Sequence, residues 1–282
     1  MAYAVASDGV RIHYDVTGRP GGQPVLMIQG LGADKHGWDL QRLYLSPFYR
    51  VIAFDNRGAG RSDKPFGAYT LQQMADDAIA VLDAAGIGAA HVVGASMGGA
   101  ISQIVAVEHP HRLRSLTLAC TACRNTGWRR QLLEEWADVA AHDGMRAVAE
   151  QAVPWLIGPR SLRRLWPVLG WLGPIAAGGP AHGFVAQVRA IVNAPEAEHT
   201  DRLAELTVPT LVIVGNQDVL TPRGDSQELA ERIPTAELVV VAGAAHGLMV
   251  EHALTFNRVL GDFLHRASRA YDARVRTVAA SA

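Results

Sequence analysis

Three residues have the types and order to do chemistry together. Ser96 sits in Gly94-Ala95-Ser96-Met97-Gly98-Gly99, a G-x-S-x-G turn between a β-rich run at 91–95 and a helical pattern. A serine at such a sharp strand-to-helix corner is held in a strained backbone conformation with its hydroxyl raised clear of the sheet. Small neighbours are needed because the new helix passes close to the strand it leaves. The helix start also points backbone N–H groups at the same spot, where an anion would be welcome. A serine hydroxyl is a poor nucleophile unless a base takes its proton and an acid orients that base. Asp218 follows an apolar run at 209–215, and His246 follows another at 237–241. The order Ser, Asp, His is the one expected of a nucleophile elbow on an α/β sheet. Asp225 and His252 are rivals for the second and third roles, Asp218 could serve as an Asx-turn aspartate, and His246 could be a surface histidine beside a helix start.

A negative charge developing on a carbonyl oxygen needs backbone donors. Met97, directly after the serine, supplies one N–H. The loop Gln29-Gly30-Leu31-Gly32 ends an early apolar strand and supplies the other through Leu31, with glycines on both sides to permit an unusual backbone path. The side chains of Leu31 and Met97 are then free to line a pocket.

These groups must be carried by elements that bring them to one edge. Residues 3–6 and 11–16 alternate as strands around an Asp8-Gly9 turn. Val25–Gln29, Val51–Phe54, His91–Ala95 and Leu113–Ala119 read as strands buried on both faces. Between them, Thr70 and Gln73 form a capping box ahead of Leu71, Met74, Ala78 and Leu82 at helical spacing, and Gly86 closes that helix. The βαβ alternation implies a parallel sheet wrapped by helices, whose C-terminal edge is the ligand-binding edge. From about Thr121 to Ala197 only helical signals occur, around Leu133, Trp136 and Val139, then Met145, Val148 and Ala152, then Phe184, Val188 and Ile191. Pro154, Pro159, Pro167, Pro174 and Pro180 break this stretch into short pieces. It holds Trp128, Trp136, Trp155, Trp166 and Trp171, and an aromatic insertion beside Ser96 is placed to be a lid over an apolar pocket. The βα pattern then resumes. Thr221-Pro222 reads as an N-cap and first helical residue, a last helix spans roughly 249–264, and the residues after Arg269 read as a loose tail.

Composition narrows the function classes. The chain has 282 residues, 49% of them hydrophobic and 19% charged, with a formal net charge of −1. That suits a globular α/β protein and offers no electrostatic footprint for nucleic acid or an anionic membrane. No apolar run reaches membrane-spanning length, and residues 1–14 lack the apolar core of a signal peptide, so a cytoplasmic location is expected. Cys120 and Cys123 are spaced C-x-x-C, but they follow a strand and have no second pair to complete a zinc site. Neither a metal nor an organic cofactor is expected.

With these motifs in place, the sequence resembles the α/β-hydrolase superfamily over essentially its whole length. The resemblance rests on the Ser96 elbow, on Asp55-Asn56-Arg57-Gly58-x-Gly60-x-Ser62-Asp63, on Gly215-x-x-Asp218-x-x-x-Pro222 and on Gly243-x-x-His246. It implies a mostly parallel eight-stranded sheet flanked by helices, with residues 1–121 and 198–282 as the core domain and 122–197 as a helical cap. One departure is Gln29-Gly30 where family members often carry His-Gly. Within the superfamily, residues 67–71, 121–124 and 143–145 resemble 3-oxoadipate enol-lactonases. That implies a small lactone or ester, which could be anionic, with Arg124 as a contact for its carboxylate; the apolar lid argues instead for a larger hydrophobic group. Gln29, Arg124, Trp128 and Trp155 are the pocket candidates. The expected reaction is hydrolysis of a small-molecule carboxylic ester or lactone, with Ser96 as nucleophile, His246 as base and Asp218 as its orienting acid. Carbon–carbon hydrolysis of a vinylogous diketone, perhydrolysis, cofactor-free oxygenation and a non-catalytic receptor are the alternatives.

Overall fold

The computed structural model describes residues 2–161, 163 and 179–281. Trp166, Trp171, Pro167 and Pro174 lie outside them. Eight strands form one sheet: β1 (Ala2–Val5), β2 (Arg11–Gly18), β3 (Pro24–Ile28), β4 (Arg50–Phe54), β5 (Ala90–Ala95), β6 (Leu113–Ala119), β7 (Thr210–Gly215) and β8 (Ala236–Val241). Their order across the sheet is β1-β2-β4-β3-β5-β6-β7-β8. The β1/β2 and β2/β4 pairs are antiparallel and all others parallel. The hairpin turn is the expected one, with Gly9 at φ 83° and Asp8 Oδ1 accepting from the Val10 N–H.

Along each central strand the side chains alternate between two separate apolar layers. Leu26, Ile28, Ile52 and Phe54 pack beneath helices α2 (Leu71–Ala84) and α3 (Met97–Glu108). Val25, Met27, Val51 and Ala53 pack against the opposite layer, with Leu45 of α1 (Asp39–Leu45) and Phe256 and Leu260 of the C-terminal helix. Burial on both faces is why these runs carry no polar alternation. The Thr70–Gln73 capping box opens α2, and Gly86, at φ 67°, follows its last turn.

The insertion is helical. It contains α4 (Gly127–His142), α5 (Met145–Leu156), α6 (Ala181–Val192) and the start of α7 (Glu196–Arg202). Leu133, Trp136, Val148, Phe184 and Val188 form a third apolar cluster, joined by Leu220 from the loop after β7. Pro154 does not interrupt α5, which runs on to Leu156. It lies in the final turn, so a single bond is lost, the one its N–H would have given to the Glu150 carbonyl, and the Ile157 N–H still donates to Val153 O at 3.0 Å.

The chain closes with α8 (Arg223–Arg232), α9 (Leu248–Glu251) and α10 (Ala253–Ser281). Contrary to the expected loose tail, α10 continues to Ser281. Specific contacts hold its second half: Ser268 Oγ lies 3.1 Å from His91 Nε2, Gln23 Nε2 donates to Asp272, and Arg114 stacks over the Tyr271 ring. These partners come from β5, β6 and the loop before β3, so the alternating Ala, Arg and Val pattern of the tail could not reveal them.

Candidate active site

The elbow is built as its glycines require. Ser96 has φ 53° and ψ −119°, one of two described non-glycine residues at positive φ. Its N–H donates to Ala119 O at 2.9 Å, and its own carbonyl accepts from Thr121 Oγ1 at 2.8 Å, so the end of β6 and the loop after it hold the corner from both sides. A Cβ on Gly94 would stand 2.2 Å from Gly98 O, and one on Gly98 would stand 2.1 Å from Ile28 O. Any side chain at either position would push α3 off the sheet.

Asp218 and His246 meet across the next loops. A Cβ on Gly215 would stand 2.1 Å from Ala244 O, so this glycine lets the β7 and β8 loops touch. His246 Nδ1 lies 2.9 Å from Asp218 Oδ2, with both residues buried. The Leu220 and Thr221 N–H groups donate to Asp218 Oδ1, and Thr221 Oγ1 donates to Oδ2. Thr221 is therefore not the N-cap of α8, a position taken by Pro222; its hydroxyl is spent on the aspartate. Burial pushes the Asp218 carboxyl up, but the His246 charge and these hydrogen bonds outweigh it and hold the group below the usual carboxylate range. The rivals are engaged elsewhere. Asp225 pairs with Arg129, and the His252 ring lies against Gly243.

Ser96 and His246 face the same cavity, of about 620 Å³. No hydrogen bond joins Ser96 Oγ to His246 among the described residues; in unliganded hydrolytic sites this contact is often loose and tightens around substrate. The imidazole presents Nε2 to the cavity because Nδ1 is occupied.

The proposed oxyanion donors are picked out by their neighbours. Gly30 N–H donates to Gln29 Oε1 at 2.8 Å, and Gly32 N–H donates to Gln187 Oε1 at 2.9 Å. Leu31 N–H, between them, has no partner among the described residues, and neither does Met97 N–H at the start of α3. Gly30 brings the loop to the serine, since a Cβ there would stand 3.2 Å from Ser96 Cβ. Gln29 thus holds the loop through its own side chain, while its carbonyl accepts from Asn56 Nδ2.

Gln187 was not visible as a site residue in the sequence. It is fully buried on α6, and its Nε2 donates to Arg57 O at 2.7 Å, tying the insertion to both the Leu31 loop and the Arg57 loop. A lone glutamine at apolar helical spacing among Phe184, Val188 and Ile191 was the available signal, though not its direction. Arg57 is itself fixed by Asp77 and Asp8.

The pocket candidates separate. Gln29 and Arg124 line the cavity, but Arg124 Nε donates to Glu228 Oε1 at 2.9 Å and the side chain is about half exposed. Trp128 and Trp155 are not in the described wall; they stack on each other, 6.3 Å between centroids, with Trp128 exposed and Trp155 packed against the α4–α6 cluster. Trp136 takes the inward place, with Leu133, Val148, Ala152, Phe184 and Ile191. Trp128 is out of phase with Trp136 on α4, whereas Trp155 shares the Val148–Ala152 face of α5 and packs on the cluster beside the cavity.

Cys120 is the other residue at positive φ, at 47°. Its thiol, Asp218 and His246 offer ligand-type atoms within 4.8 Å of one another, the one such group of three among the described residues. The facing atoms of Asp218 and His246 already bond each other, and burial with the nearby Asp218 charge pushes the Cys120 thiol up, keeping it protonated. Burial pushes Cys123 up to about 12. Both cysteines are free, and such thiols are the opposite of the acidic thiols of redox pairs.

Comparison with known proteins agrees with this architecture. Residues 23–253 match the alpha/beta hydrolase fold family. A putative carbamate hydrolase RutD of Variovorax paradoxus is 33% identical over 91% of this chain and 97% of its own length. The 3-oxoadipate enol-lactonase 2 of Acinetobacter baylyi is 29% identical over 93% of this chain and 96% of its own. Among solved structures, the enol-lactonase from Burkholderia xenovorans LB400 superposes with a TM-score of 0.87 at 28% identity, covering 94% of this chain and all of that one. No helix of the described residues is long and apolar enough to cross a membrane. The chain belongs to the alpha/beta hydrolase fold family.

Proposed function

We propose that this hydrolase cleaves a carboxylic ester or lactone through an acyl-enzyme on Ser96. The observation that carries the reading is the strained Ser96 elbow opening on the same cavity as the Asp218–His246 pair. Ser96 Oγ attacks the carbonyl carbon and passes its proton to His246 Nε2. Asp218, bonded at Nδ1, holds the ring in the tautomer that leaves Nε2 basic and stabilises the imidazolium that follows. The Leu31 and Met97 N–H groups receive the oxyanion. His246 returns the proton to the leaving alkoxide, and water then attacks the acyl-enzyme by the same route. In this reading residues 122–197 act as a cap on the core formed by 1–121 and 198–282, excluding bulk water from the intermediate.

The test is turnover of a p-nitrophenyl ester series by the wild type and by Ser96→Ala. The variant is expected to retain the thermal melt and lose about three or more powers of ten in kcat/KM. Turnover within tenfold of wild type by the folded variant would remove Ser96 from the nucleophile role.

A further inference from the structure

The cavity wall contains a polar group for which the reaction has no use. Asn125 lines the cavity just after β6, and both its Oδ1 and its Nδ2 are buried without a hydrogen-bond partner among the described residues. A desolvated amide with neither end satisfied is costly and calls for an explanation. The other polar side chains nearby are satisfied. Gln103 donates to Ala122 O and Gly99 O, and Thr200 Oγ1 donates to Cys123 O.

The charges of the wall are also spoken for. Arg129 donates to Leu220 O and Arg124 O and pairs with Asp225. Arg124 is held by Glu228, and His199 faces Glu108 at 3.9 Å. No carboxylate lines the cavity among the described residues. A ligand carboxylate entering it would lose its water and would find each cation of the wall already facing a carboxylate of the protein. An anionic lactone, one of the two substrate types the sequence left open, therefore finds no unshared counter-charge here. An apolar chain finds the six-residue wall of α4, α5 and α6, and one amide that lacks a partner.

From this we infer that the substrate is an uncharged ester or lactone whose mainly apolar acyl chain carries one hydrogen-bonding group, an amide or a ketone, received by Asn125. The inference rests on the reading of Ser96 as nucleophile and names the substrate class of that site.

The experiment measures second-order inactivation by three fluorophosphonates of equal length, with the chain ending in methyl, ending in carboxylate, or interrupted by an amide placed in turn at each position. Ser96→Ala provides the blank. The methyl-ended probe is expected to react about 100-fold faster than the carboxylate-ended one. The best amide-bearing probe is expected to exceed the methyl-ended probe by about tenfold. In Asn125→Leu, checked for folding by its thermal melt, the order of those two should invert, because the variant exchanges an unsatisfied amide for apolar surface. Equal or faster reaction of the carboxylate-ended probe overturns the uncharged class while leaving the serine reading intact. An amide-to-methyl ratio that Asn125→Leu does not change overturns the role of Asn125. No Ser96-dependent inactivation by any probe overturns the serine reading and this inference with it.

Discussion

The floor and the roof of the cavity are built on different principles. On the floor, polar atoms are pinned. Asp218 accepts from two backbone N–H groups and a hydroxyl besides its bond to His246, and the N–H groups on either side of Leu31 are taken by Gln29 and Gln187. Glycines at 94, 98 and 215 let backbone touch backbone beneath it. The roof is apolar packing from α4, α5 and α6, with the Asn125 amide, unpartnered among the described residues, at its margin. A pinned floor holds donors and acceptors where charge develops, which is where electrostatic catalysis has its largest effect. An apolar roof sets size and polarity and can be repacked without moving the floor.

If that division is right, substitutions in the two regions should fail in different ways. The largest effect belongs to the floor. Asp218→Asn should lower kcat by about four powers of ten whatever the acyl length, because the amide favours the wrong tautomer of His246. A steady-state series from short to long esters checks this, and a loss confined to one chain length would instead place Asp218 in substrate binding. Trp136→Ala, in the roof, should destabilise the protein by roughly 3 kcal/mol and move the preferred acyl length upward, with kcat on short esters kept within a few-fold. Urea unfolding and the same ester series separate the two effects.

Gln187 joins floor and roof, so it sharpens the comparison. Gln187→Leu strands the Gly32 N–H and the Arg57 carbonyl, and should cost about 2 kcal/mol of stability. If it also lets the Leu31 N–H drift, kcat on a short ester should fall about tenfold with little change in KM. An unchanged kcat in a destabilised variant would make Gln187 a purely structural tie.

The smallest effect concerns the sheet beneath the floor. His91 is buried between Ser115, Gln23 and Ser268, and burial pushes its pKa down to about 3 from the ordinary 6.5. The unfolded chain takes up a proton between these values that the folded protein refuses. Stability from this group is therefore complete above about pH 6.5 and is lost as the pH falls toward 3. Between pH 7 and pH 5 the loss should be roughly 2 kcal/mol. Urea titrations at the two pH values should show a smaller difference for His91→Gln than for the wild type; equal differences would contradict the assignment to His91.

The floor was far more legible in the sequence than the roof, for the same physical reason that separates them. Ser96, Asp218 and His246 lie at strand ends, where residue type and small neighbours are dictated by local backbone geometry. The central strands β3 to β7 were legible because burial on two faces leaves apolar runs, and β1 and β2 because partial burial leaves an alternation. The roof depends on which side of a helix meets which neighbour. Trp128 differs from Trp136 in helical phase, and Trp155 shares the inward face of α5 but lies beside the cavity, stacked on Trp128. Gln187 is one polar residue among Phe184, Val188 and Ile191, and only the fold shows that it points inward. The second half of α10 depends on partners in β5, β6 and the loop before β3, far away in sequence.

The central claim is that Ser96 is the covalent nucleophile. Intact-mass measurement after a fluorophosphonate, followed by peptide mapping, tests it in one step. The account predicts one equivalent of adduct, carried by the peptide containing Ser96, with loss of esterase activity in proportion to labelling. An active protein that gains no adduct, or gains it on another residue while activity is lost, would contradict the account.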